Sequence, residues 1–275
     1  MTTALVTGAT DGIGLHTARK LAASGTLKSV LIHGRDESRL ERARREIEGV
    51  SRGVDVQGFR ADFADLSQVK DMCRAVTDRC SDSGLTVLIQ NAGVYSDEYV
   101  RTKDGFELTY QTNVLAPHII TSLLHPIVKT KIIHVASISA SSSVDLDVDR
   151  ADTSSSAHSG HRAYSESKLL NVMQACAYAK GLENLIVQSL DPGTVNTKML
   201  LAGWGACGIR VGEADNEFSL ATRLGETGGY FVNDRPSRYP SSMCTDEASL
   251  AKLLDMLAKD TGVHFLHERL RARQE

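Results

Sequence analysis

A tyrosine and a lysine four positions apart, Tyr164 and Lys168, are the residues of this sequence best suited to acid–base chemistry. Within a segment of helical period, that spacing places both side chains on one face of a helix. A tyrosine phenol has an ordinary pKa of about 10, and a nearby ammonium group stabilises its charged form. The pair predicts proton transfer to or from a substrate oxygen. Taken alone, a packed tyrosine beside a snorkelling lysine is the simpler interpretation.

The segment TGATDGIG, residues 7–14, follows a short apolar run and precedes a segment of helical spacing. Gly8 permits a tight turn, Gly12 lets the backbone approach a phosphate, and Gly14 lets the helix pack closely on a sheet. The start of the helix offers free N–H groups and the positive end of its dipole. Because turns often contain glycine, the position between strand and helix carries this prediction of a dinucleotide-binding turn. The expected contacts are Gly8, Thr10, Gly12, Ile13 and Gly14.

The end of the second apolar run bears on the choice between NAD and NADP. In NAD-binding sheets, an acid at this strand tip bonds the adenosine ribose hydroxyls and repels a 2′-phosphate. Here Gly34 occupies that place and Arg35 follows it. A guanidinium is always charged and can bond two phosphate oxygens, so we expect NADP(H) rather than NAD(H). Asp36 and Asp11 argue against this expectation, and an exposed Arg35–Asp36 salt bridge is the alternative interpretation.

Four motifs in order resemble the short-chain dehydrogenase/reductase family. They are TGATDGIG, ADF around Asp62, QNAG at residues 90–93 and YSESK at residues 164–168. The similarity extends over nearly the whole chain. A long polar insert before the tyrosine, the SKLLN run at 167–171 and GGYF at 228–231 resemble the retinol-dehydrogenase and WW-domain-oxidoreductase branch.

The resemblance implies a role for each matching position. Ser137 would be the catalytic serine that holds the substrate oxygen beside Tyr164. Asn113 would hold a water that connects Lys168 to solvent, and Lys168 would also bond the nicotinamide ribose. A turn-capping serine and a buried amide or helix kink are the alternatives for the first two residues. The other cofactor contacts implied are Asp62 and Phe63 at the adenine, Asn91, Ala92 and Gly93 beside the adenosine, and Pro192, Gly193, Val195 and Thr197 over the nicotinamide.

The elements that would position these residues are indicated by hydrophobic periodicity. Short runs rich in Val, Ile and Leu lack clean polar alternation, which is typical of strands buried on both faces. These runs are residues 3–7, 29–33, 54–59, 85–90, 131–136, 184–190 and 229–232. Segments of helical spacing lie between them, including 36–49, 66–80 and 106–121. The alternation predicts an α/β fold: a Rossmann-type doubly wound parallel sheet with helices on both faces, in a single domain of residues 1–275.

Two irregular segments are expected outside this framework. Residues 139–161 are rich in serine and aspartate, which favours a surface insert. Residues 193–229 are glycine-rich and hold the only tryptophan, Trp204, so we expect a substrate lid there. The apolar run MLL at 199–201 indicates a lipophilic ligand. Trp204 either contacts that ligand or anchors the lid.

Composition limits the classes of partner and location. The net charge of −3 gives no indication of nucleic acid or an anionic membrane as partner. The five cysteines lack CxxC pairing, which favours neither a zinc knuckle nor a disulfide framework and fits a reducing compartment. No run reaches the about 20 apolar residues of a membrane span, and the first residues lack signal-peptide features. We therefore expect a cytoplasmic protein without a membrane anchor.

Two other site types are less favoured by the sequence. His158 and His161 stand near several aspartates, but their Ser-rich context favours a solvated loop, so we expect no metal site. Ser137 could be combined with a histidine and an aspartate into a hydrolase triad, yet no GxSxG turn is present.

These observations predict an NADP(H)-dependent oxidoreductase that transfers a hydride between nicotinamide and a carbonyl or alcohol. By resemblance, the substrate would be a lipophilic aldehyde, ketone, retinoid or steroid. A non-catalytic dinucleotide-binding regulator is the main alternative, although such proteins usually lose the tyrosine or the lysine. A lyase or epimerase on the same fold would usually need a longer substrate domain. The resemblance also implies a homodimer or homotetramer built from the helices that carry Asn113 and Tyr164, although monomers also occur.

Overall fold

The fold is built around a single mostly parallel sheet. The computed structural model describes residues 2–51, 53–142, 146 and 158–266. The strands are Thr3–Val6 (β1), Ser29–Gly34 (β2), Asp55–Arg60 (β3), Leu85–Gln90 (β4), Val128–Val135 (β5), Ile186–Asp191 (β6), Tyr230–Val232 (β7) and Arg235–Ser237 (β8). They are arranged in the order β3-β2-β1-β4-β5-β6-β7-β8, parallel except for the antiparallel pair β7 and β8.

Helices connect the parallel strands. The α-helices are Gly12–Ala23 (α1), Glu37–Glu48 (α2), Leu66–Arg79 (α3), Leu108–Tyr110 (α4), Ala116–Leu124 (α5), Gly160–Gly181 (α6), Lys198–Gly203 (α7), Asn216–Thr222 (α8) and Glu247–Thr261 (α9). Helices α2, α3 and α9 begin after Asp36, Asp65 and Asp246, whose carboxylates accept hydrogen bonds from first-turn N–H groups. Such caps satisfy backbone donors that have no partner inside the helix. Within the described ranges, every helix is too short or too polar to cross a lipid bilayer.

The sheet buries both of its faces, which explains the missing polar alternation in its strands. Leu5 and Leu31 pack into a core layer formed with α3, α5, α6 and α9. Val6 and Ile32, their neighbours along the strands, pack into a second layer formed with α1, α2 and α8. The predicted doubly wound α/β fold, with helices on both faces of a parallel sheet, is confirmed.

The central part of helix α6 is enclosed on all sides. Every residue from 164 to 178 is buried, although the segment contains several polar side chains. The predicted apolar stripe, which includes Leu169 and Met173, packs into the core, and α9 covers another side. A helix without an exposed face belongs to the interior of a domain. Tyr164 and Lys168 are therefore carried by a rigid, central element.

Some elements differ from the sequence-based expectation. Strand β8 is three exposed residues with Pro236 at its centre, so it carries no apolar run that could reveal it. The predicted helix at 106–121 is interrupted between α4 and α5 by a π-helical turn, Gln111–Leu115. Within the expected lid, 193–229, lie the short helices α7 and α8. Most of the expected surface insert, 139–161, lies outside the described residues, and α6 begins inside its last residues.

Candidate active site

A cavity of about 470 Å³ opens at the carboxyl ends of the parallel strands. The strand order reverses between β1 and β4, and ligands of doubly wound sheets bind in the crevice beside that point. All the cofactor contacts expected from the sequence line this cavity. They are Gly8, Thr10, Gly12, Ile13, Gly14, Arg35, Asp62, Phe63, Asn91, Ala92, Gly93, Tyr164, Lys168, Pro192, Gly193, Val195 and Thr197. Ser137 also lines it, whereas Asn113 lies behind the wall.

The glycine turn has the backbone shape expected of a phosphate cradle. Gly8 and Gly12 have φ values of +66° and +56°, a left-handed conformation that favours glycine. A Cβ on Gly8 would also lie 2.8 Å from the Ala92 Cα, so the turn and the end of β4 leave no room for a side chain. Asp11 accepts a hydrogen bond from the Gly12 N–H at 2.9 Å and caps α1. The start of α1 is thus held against the cavity.

Asn91 ties the glycine turn to the end of β4. Its Nδ2 donates to the Thr7 carbonyl at 2.8 Å and to the Gly8 carbonyl at 3.2 Å. The Thr7 hydroxyl in turn accepts a hydrogen bond from the Ala92 N–H at 3.0 Å. Three short contacts therefore hold the turn and the strand end in one arrangement.

The tight packing of Gly14 yields a stability prediction. A Cβ at Gly14 would lie 2.6 Å from the Gly8 carbonyl oxygen and closer still to the Asn91 side-chain amide. Gly14→Ala should lower the free energy of unfolding by about 1–3 kcal/mol, because backbone atoms must move apart. Thermal denaturation followed by circular dichroism measures this, and NADPH binding should weaken in parallel.

Gly212→Ala is the matched control for that substitution. Gly212 does not have a positive φ, and its Cβ position has no atom within 4 Å. The control should leave the midpoint of thermal unfolding unchanged or slightly raised. If Gly14→Ala were equally harmless, the close approach of α1 to β4 described above would be wrong.

His33, which no sequence motif marks, supports the glycine turn through a hydrogen bond with Gly8. Its Nδ1 accepts a hydrogen bond from the Gly8 N–H at 3.1 Å, and its Nε2 donates to the Ala61 carbonyl at 3.0 Å. The ring stacks on Phe63, with centroids 4.1 Å apart. Burial lowers the pKa of His33 to about 4, so the neutral ring keeps one acceptor for Gly8. A lone histidine inside an apolar strand was the only signal of this role.

Arg35 follows β2 as an exposed side chain on the cavity wall. It forms no ion pair with any residue that the structure describes. Asp36 instead caps α2, accepting hydrogen bonds from the Arg39 N–H at 2.8 Å and the Ser38 hydroxyl at 2.7 Å. Asp11 pairs with Lys198. The two acids that argued against NADP are therefore engaged elsewhere, and the alternative Arg35–Asp36 salt bridge does not form.

Tyr164, Ser137 and Lys168 converge in the same cavity. The Ser137 hydroxyl lies close enough to the Tyr164 phenol to act on its pKa, lowering it against the effect of burial. Lys168 Nζ lies 5.6 Å from the centre of the Tyr164 ring and donates to the Val135 carbonyl at 2.9 Å. Tyr164 is 8% exposed and Lys168 3% exposed, so both polar groups are almost fully desolvated.

The protonation of this pair differs from the sequence-based expectation. Burial raises the pKa of Tyr164 to about 12, and the negative charge of Asp191 acts in the same direction. Burial also lowers the pKa of Lys168 to about 8. Lys168 alone does not lower the Tyr164 pKa in this arrangement, because its ammonium is engaged by the Val135 carbonyl and desolvation dominates. The lowering expected from Lys168 together with the positive nicotinamide ring stays a prediction. The phenol is protonated at neutral pH.

Asn113 lies in the π-helical turn and braces the loop after β4. Its Oδ1 accepts from the Val94 N–H at 2.8 Å, and its Nδ2 donates to the Val94 carbonyl and to the Ser167 hydroxyl, each at 3.0 Å. Pro117 stands four residues later and has no N–H, so it cannot donate the usual helical bond to the Asn113 carbonyl. Such π turns are frequent at functional sites. The alternative of a buried amide bonding its own backbone is wrong, because the Asn113 amide bonds Val94 and Ser167.

Asp191, to which no sequence motif assigns a role, shapes the turn after β6. Its Oδ1 accepts a hydrogen bond from the Gly193 N–H at 3.0 Å, and Gly193 has a φ of +87°. The turn brings the segment from Pro192 to Thr197 onto the cavity. Elsewhere, His158 contacts the Tyr99 ring, and the described residues contain no group of three metal-ligating side chains.

Sequence comparisons show that this chain is similar to proteins named as oxidoreductases. The family model described as short chain dehydrogenase matches residues 2–149. "Putative daunorubicin C-13 ketoreductase DnrU" of Streptomyces sp. (strain C5) is 32% identical over 272 residues, which cover 94% of this chain and 92% of that protein. Retinol dehydrogenase 14 of Homo sapiens is 32% identical over 215 residues, which cover 72% of this chain and 62% of that protein.

Solved structures have the same fold. A Mycobacterium paratuberculosis protein superposes with a TM-score of 0.80 at 26% identity, covering 96% of this chain and 94% of that one. NADPH-bound carbonyl reductase from chicken fatty liver has a TM-score of 0.67 at 23% identity, covering 86% and 98%, a likeness in fold alone. On the family match and the DnrU similarity over nearly the full chain, this protein belongs to the short-chain dehydrogenase/reductase family of NAD(P)-dependent oxidoreductases.

Proposed function

We propose that this enzyme reduces a carbonyl group with NADPH and that Tyr164 is the proton donor. The observation that carries the proposal is the convergence of Ser137, Tyr164 and Lys168 in the cavity that the glycine turn also lines. Reduction needs a protonated group beside the carbonyl oxygen, and the buried Tyr164 phenol keeps its proton at neutral pH.

The residues of the cavity fit a dinucleotide. The left-handed glycines and the start of α1 offer backbone N–H groups to a pyrophosphate. Lys168 would bond the nicotinamide ribose, Asp62 and Phe63 would contact the adenine, and Asn91 to Gly93 would line the adenosine side. The segment from Pro192 to Thr197 would cover the nicotinamide. When bound, the reduced nicotinamide supplies the hydride.

Each polar residue has one step in the proposed reaction. Ser137 donates a hydrogen bond to the substrate oxygen and stabilises the negative charge that develops there. Tyr164 transfers its phenolic proton to the same oxygen. Lys168, whose lowered pKa of about 8 still leaves it mostly charged at neutral pH, stabilises the phenolate that remains. Asn113 holds the loop after β4 and a water through which the proton is replaced.

The cofactor is proposed to be NADP(H) rather than NAD(H). Arg35 supports this choice, because it lies exposed on the cavity wall without an ion-pair partner among the described residues. A guanidinium in that position can bond the 2′-phosphate that distinguishes the two cofactors.

The substrate is proposed to be a lipophilic aldehyde, ketone, retinoid or steroid. Apolar side chains line the cavity that contains Tyr164, among them Ile138, Met199, Leu200 and Trp204. The names of the relatives support the same chemistry, since they include a ketoreductase and retinol dehydrogenases.

A direct assay tests the proposal. The protein is mixed with NADPH and a panel of lipophilic aldehydes and ketones, and the loss of cofactor absorbance is followed. We expect turnover with at least one member of the panel. Tight NADPH binding without any turnover would favour the alternative, a dinucleotide-binding regulator. A cytoplasmic location stays a prediction, and the five cysteines, all free thiols, fit a reducing compartment.

The burial of α5 and α6 favours a monomer over the dimer or tetramer that the family resemblance implies. Residues 116–122 and 164–178 are already buried within one chain. Val263 and Phe265, which follow α9, contact His118 on α5. Because these faces are covered, we expect light scattering after size exclusion to give about the chain mass of 29.8 kDa at all loading concentrations. A mass twice as large would contradict this proposal.

A further inference from the structure

Three rings from separate segments meet beside Tyr164. They are Tyr95 in the loop after β4, His161 in the first turn of α6 and Trp204 at the end of α7. The indole centroid of Trp204 lies 4.9 Å from the ring of Tyr95, 4.9 Å from that of His161 and 5.4 Å from that of Tyr164. These separations are typical of favourable aromatic pairs.

Two glycines allow the three segments to approach one another. A Cβ at Gly203, the last residue of α7, would lie 3.1 Å from the Tyr95 ring. A Cβ at Gly160, the first residue of α6, would lie 2.8 Å from the Asp97 Cα. The Tyr95 hydroxyl also donates to the Asp97 carboxylate, which fixes the ring in the loop. The aromatic cluster is therefore closely packed, and a side chain at either glycine would push its segments apart.

The cluster directs one ring toward the cavity. Trp204 lines the cavity together with Tyr164, whereas Tyr95 and His161 do not. Trp204 is nevertheless 38% exposed, so its neighbours leave part of the indole uncovered. Tyr95 and His161 thus contact the indole from outside the cavity lining, and the indole itself contacts the ring of Tyr164, the proposed proton donor.

We propose that Trp204 is a specificity-determining residue that stacks on a flat, unsaturated ring system attached to the reacting carbonyl. The preferred substrates are then aryl ketones and aryl aldehydes rather than saturated ones. Val94, Ile138 and Leu200 add apolar surface to the same cavity without adding a ring. This inference rests on the proposed carbonyl reduction, and it replaces the alternative in which Trp204 only anchors the lid.

A matched pair of ketones tests the inference. The first is 2-acetylnaphthalene and the second is its saturated counterpart, 2-acetyldecalin, which has the same carbon skeleton. Trp204→Leu should lower kcat/KM for the aryl ketone by roughly threefold to tenfold more than for the saturated one. Comparing the two losses removes the difference in intrinsic reactivity of the ketones. The additional loss for the aryl ketone should appear as a higher KM. Trp204→Phe, which keeps an aromatic ring, should retain most of the wild-type efficiency with that ketone.

Controls separate stacking from lid anchoring. Leu224→Ala removes another apolar side chain, which is 81% exposed and lies outside the cavity. This control should leave kcat/KM unchanged for both ketones. Equal losses for both ketones in Trp204→Leu would show an anchoring role and overturn the inference. The inference would also be overturned if the ratio of kcat/KM between the aryl and the saturated ketone stayed the same in every variant.

A binding measurement distinguishes failure of the proposed function from failure of this inference. If the wild-type protein with NADPH reduces no member of the carbonyl panel, the proposed function fails; if it reduces other members but neither of these ketones, the proposed function stands, and in both cases ketone binding alone judges this inference. Trp204 is the only tryptophan, so its fluorescence reports directly on ligands at the cluster. Stronger quenching by the aryl ketone than by the saturated ketone, with free tryptophan as the inner-filter control, supports stacking. Equal quenching by both ketones overturns it.

Discussion

Tyr164→Phe should lower kcat by roughly 10²- to 10⁴-fold, the usual contribution of a positioned proton donor. The substitution removes one oxygen and keeps the ring, so the ring contacts with Tyr95 and Trp204 remain. NADPH affinity should change by less than about threefold, because the proposed ribose contact comes from Lys168. Steady-state assays measure kcat, and titration of Trp204 fluorescence measures cofactor binding.

Tyr178→Phe is the matched control for that variant. Tyr178 lies on the same helix, is fully buried and donates or accepts one hydrogen bond with His118 at 2.7 Å, but it does not line the cavity. Removing the Tyr178 hydroxyl should reduce thermal stability while leaving kcat of the folded protein within about twofold of the wild type. Turnover of Tyr164→Phe close to that of this control would refute the proton-donor role.

Arg35→Asp should reverse the cofactor preference. A hydrogen bond to a charged group contributes about 1.5–3 kcal/mol, so losing it should lower kcat/KM for NADPH by roughly 10- to 150-fold. The new carboxylate also repels the 2′-phosphate, and it can bond the ribose hydroxyls of NADH. We therefore expect NADH to be used as well as before or better. Parallel assays with the two cofactors measure the change.

Arg42→Asp controls for the change in net charge. Arg42 is an exposed residue of α2 outside the cavity, so its substitution alters the surface charge by the same amount. The ratio of NADPH to NADH efficiency should stay within about twofold in this control. If Arg35→Asp also left the ratio unchanged, the 2′-phosphate would be bound elsewhere or not at all.

The fold and most of the cavity follow from local sequence patterns. Apolar strands without alternation predict a sheet covered on both faces, and TGATDGIG predicts a phosphate turn wherever it joins the first strand to a helix. The sheet order then brings the ends of β1, β4 and β5 to one edge. That is why residues as distant in the chain as Gly12, Asn91 and Ser137 line one cavity.

Other features depend on contacts between distant residues and leave little local signal. His33 is a single polar residue in an apolar strand, and its role depends on hydrogen bonds to Gly8 and Ala61, which follow the two neighbouring strands β1 and β3. The raised pKa of Tyr164 depends on the depth of its burial and on the charge of Asp191, neither of which its spacing from Lys168 reveals. Strand β8 is too short and too exposed for any period to be visible.

Transfer of deuterium from labelled NADPH tests the central claim most directly. The protein is incubated with 2-acetylnaphthalene and NADPH carrying deuterium at C4 of the nicotinamide, and the alcohol is analysed by mass spectrometry and NMR. With the label on the transferred side of the ring, we expect one deuterium on the carbinol carbon. Tyr164→Phe should form this labelled alcohol far more slowly. Alcohol without deuterium from either C4 diastereomer, or labelled alcohol formed equally fast by Tyr164→Phe, would contradict the account.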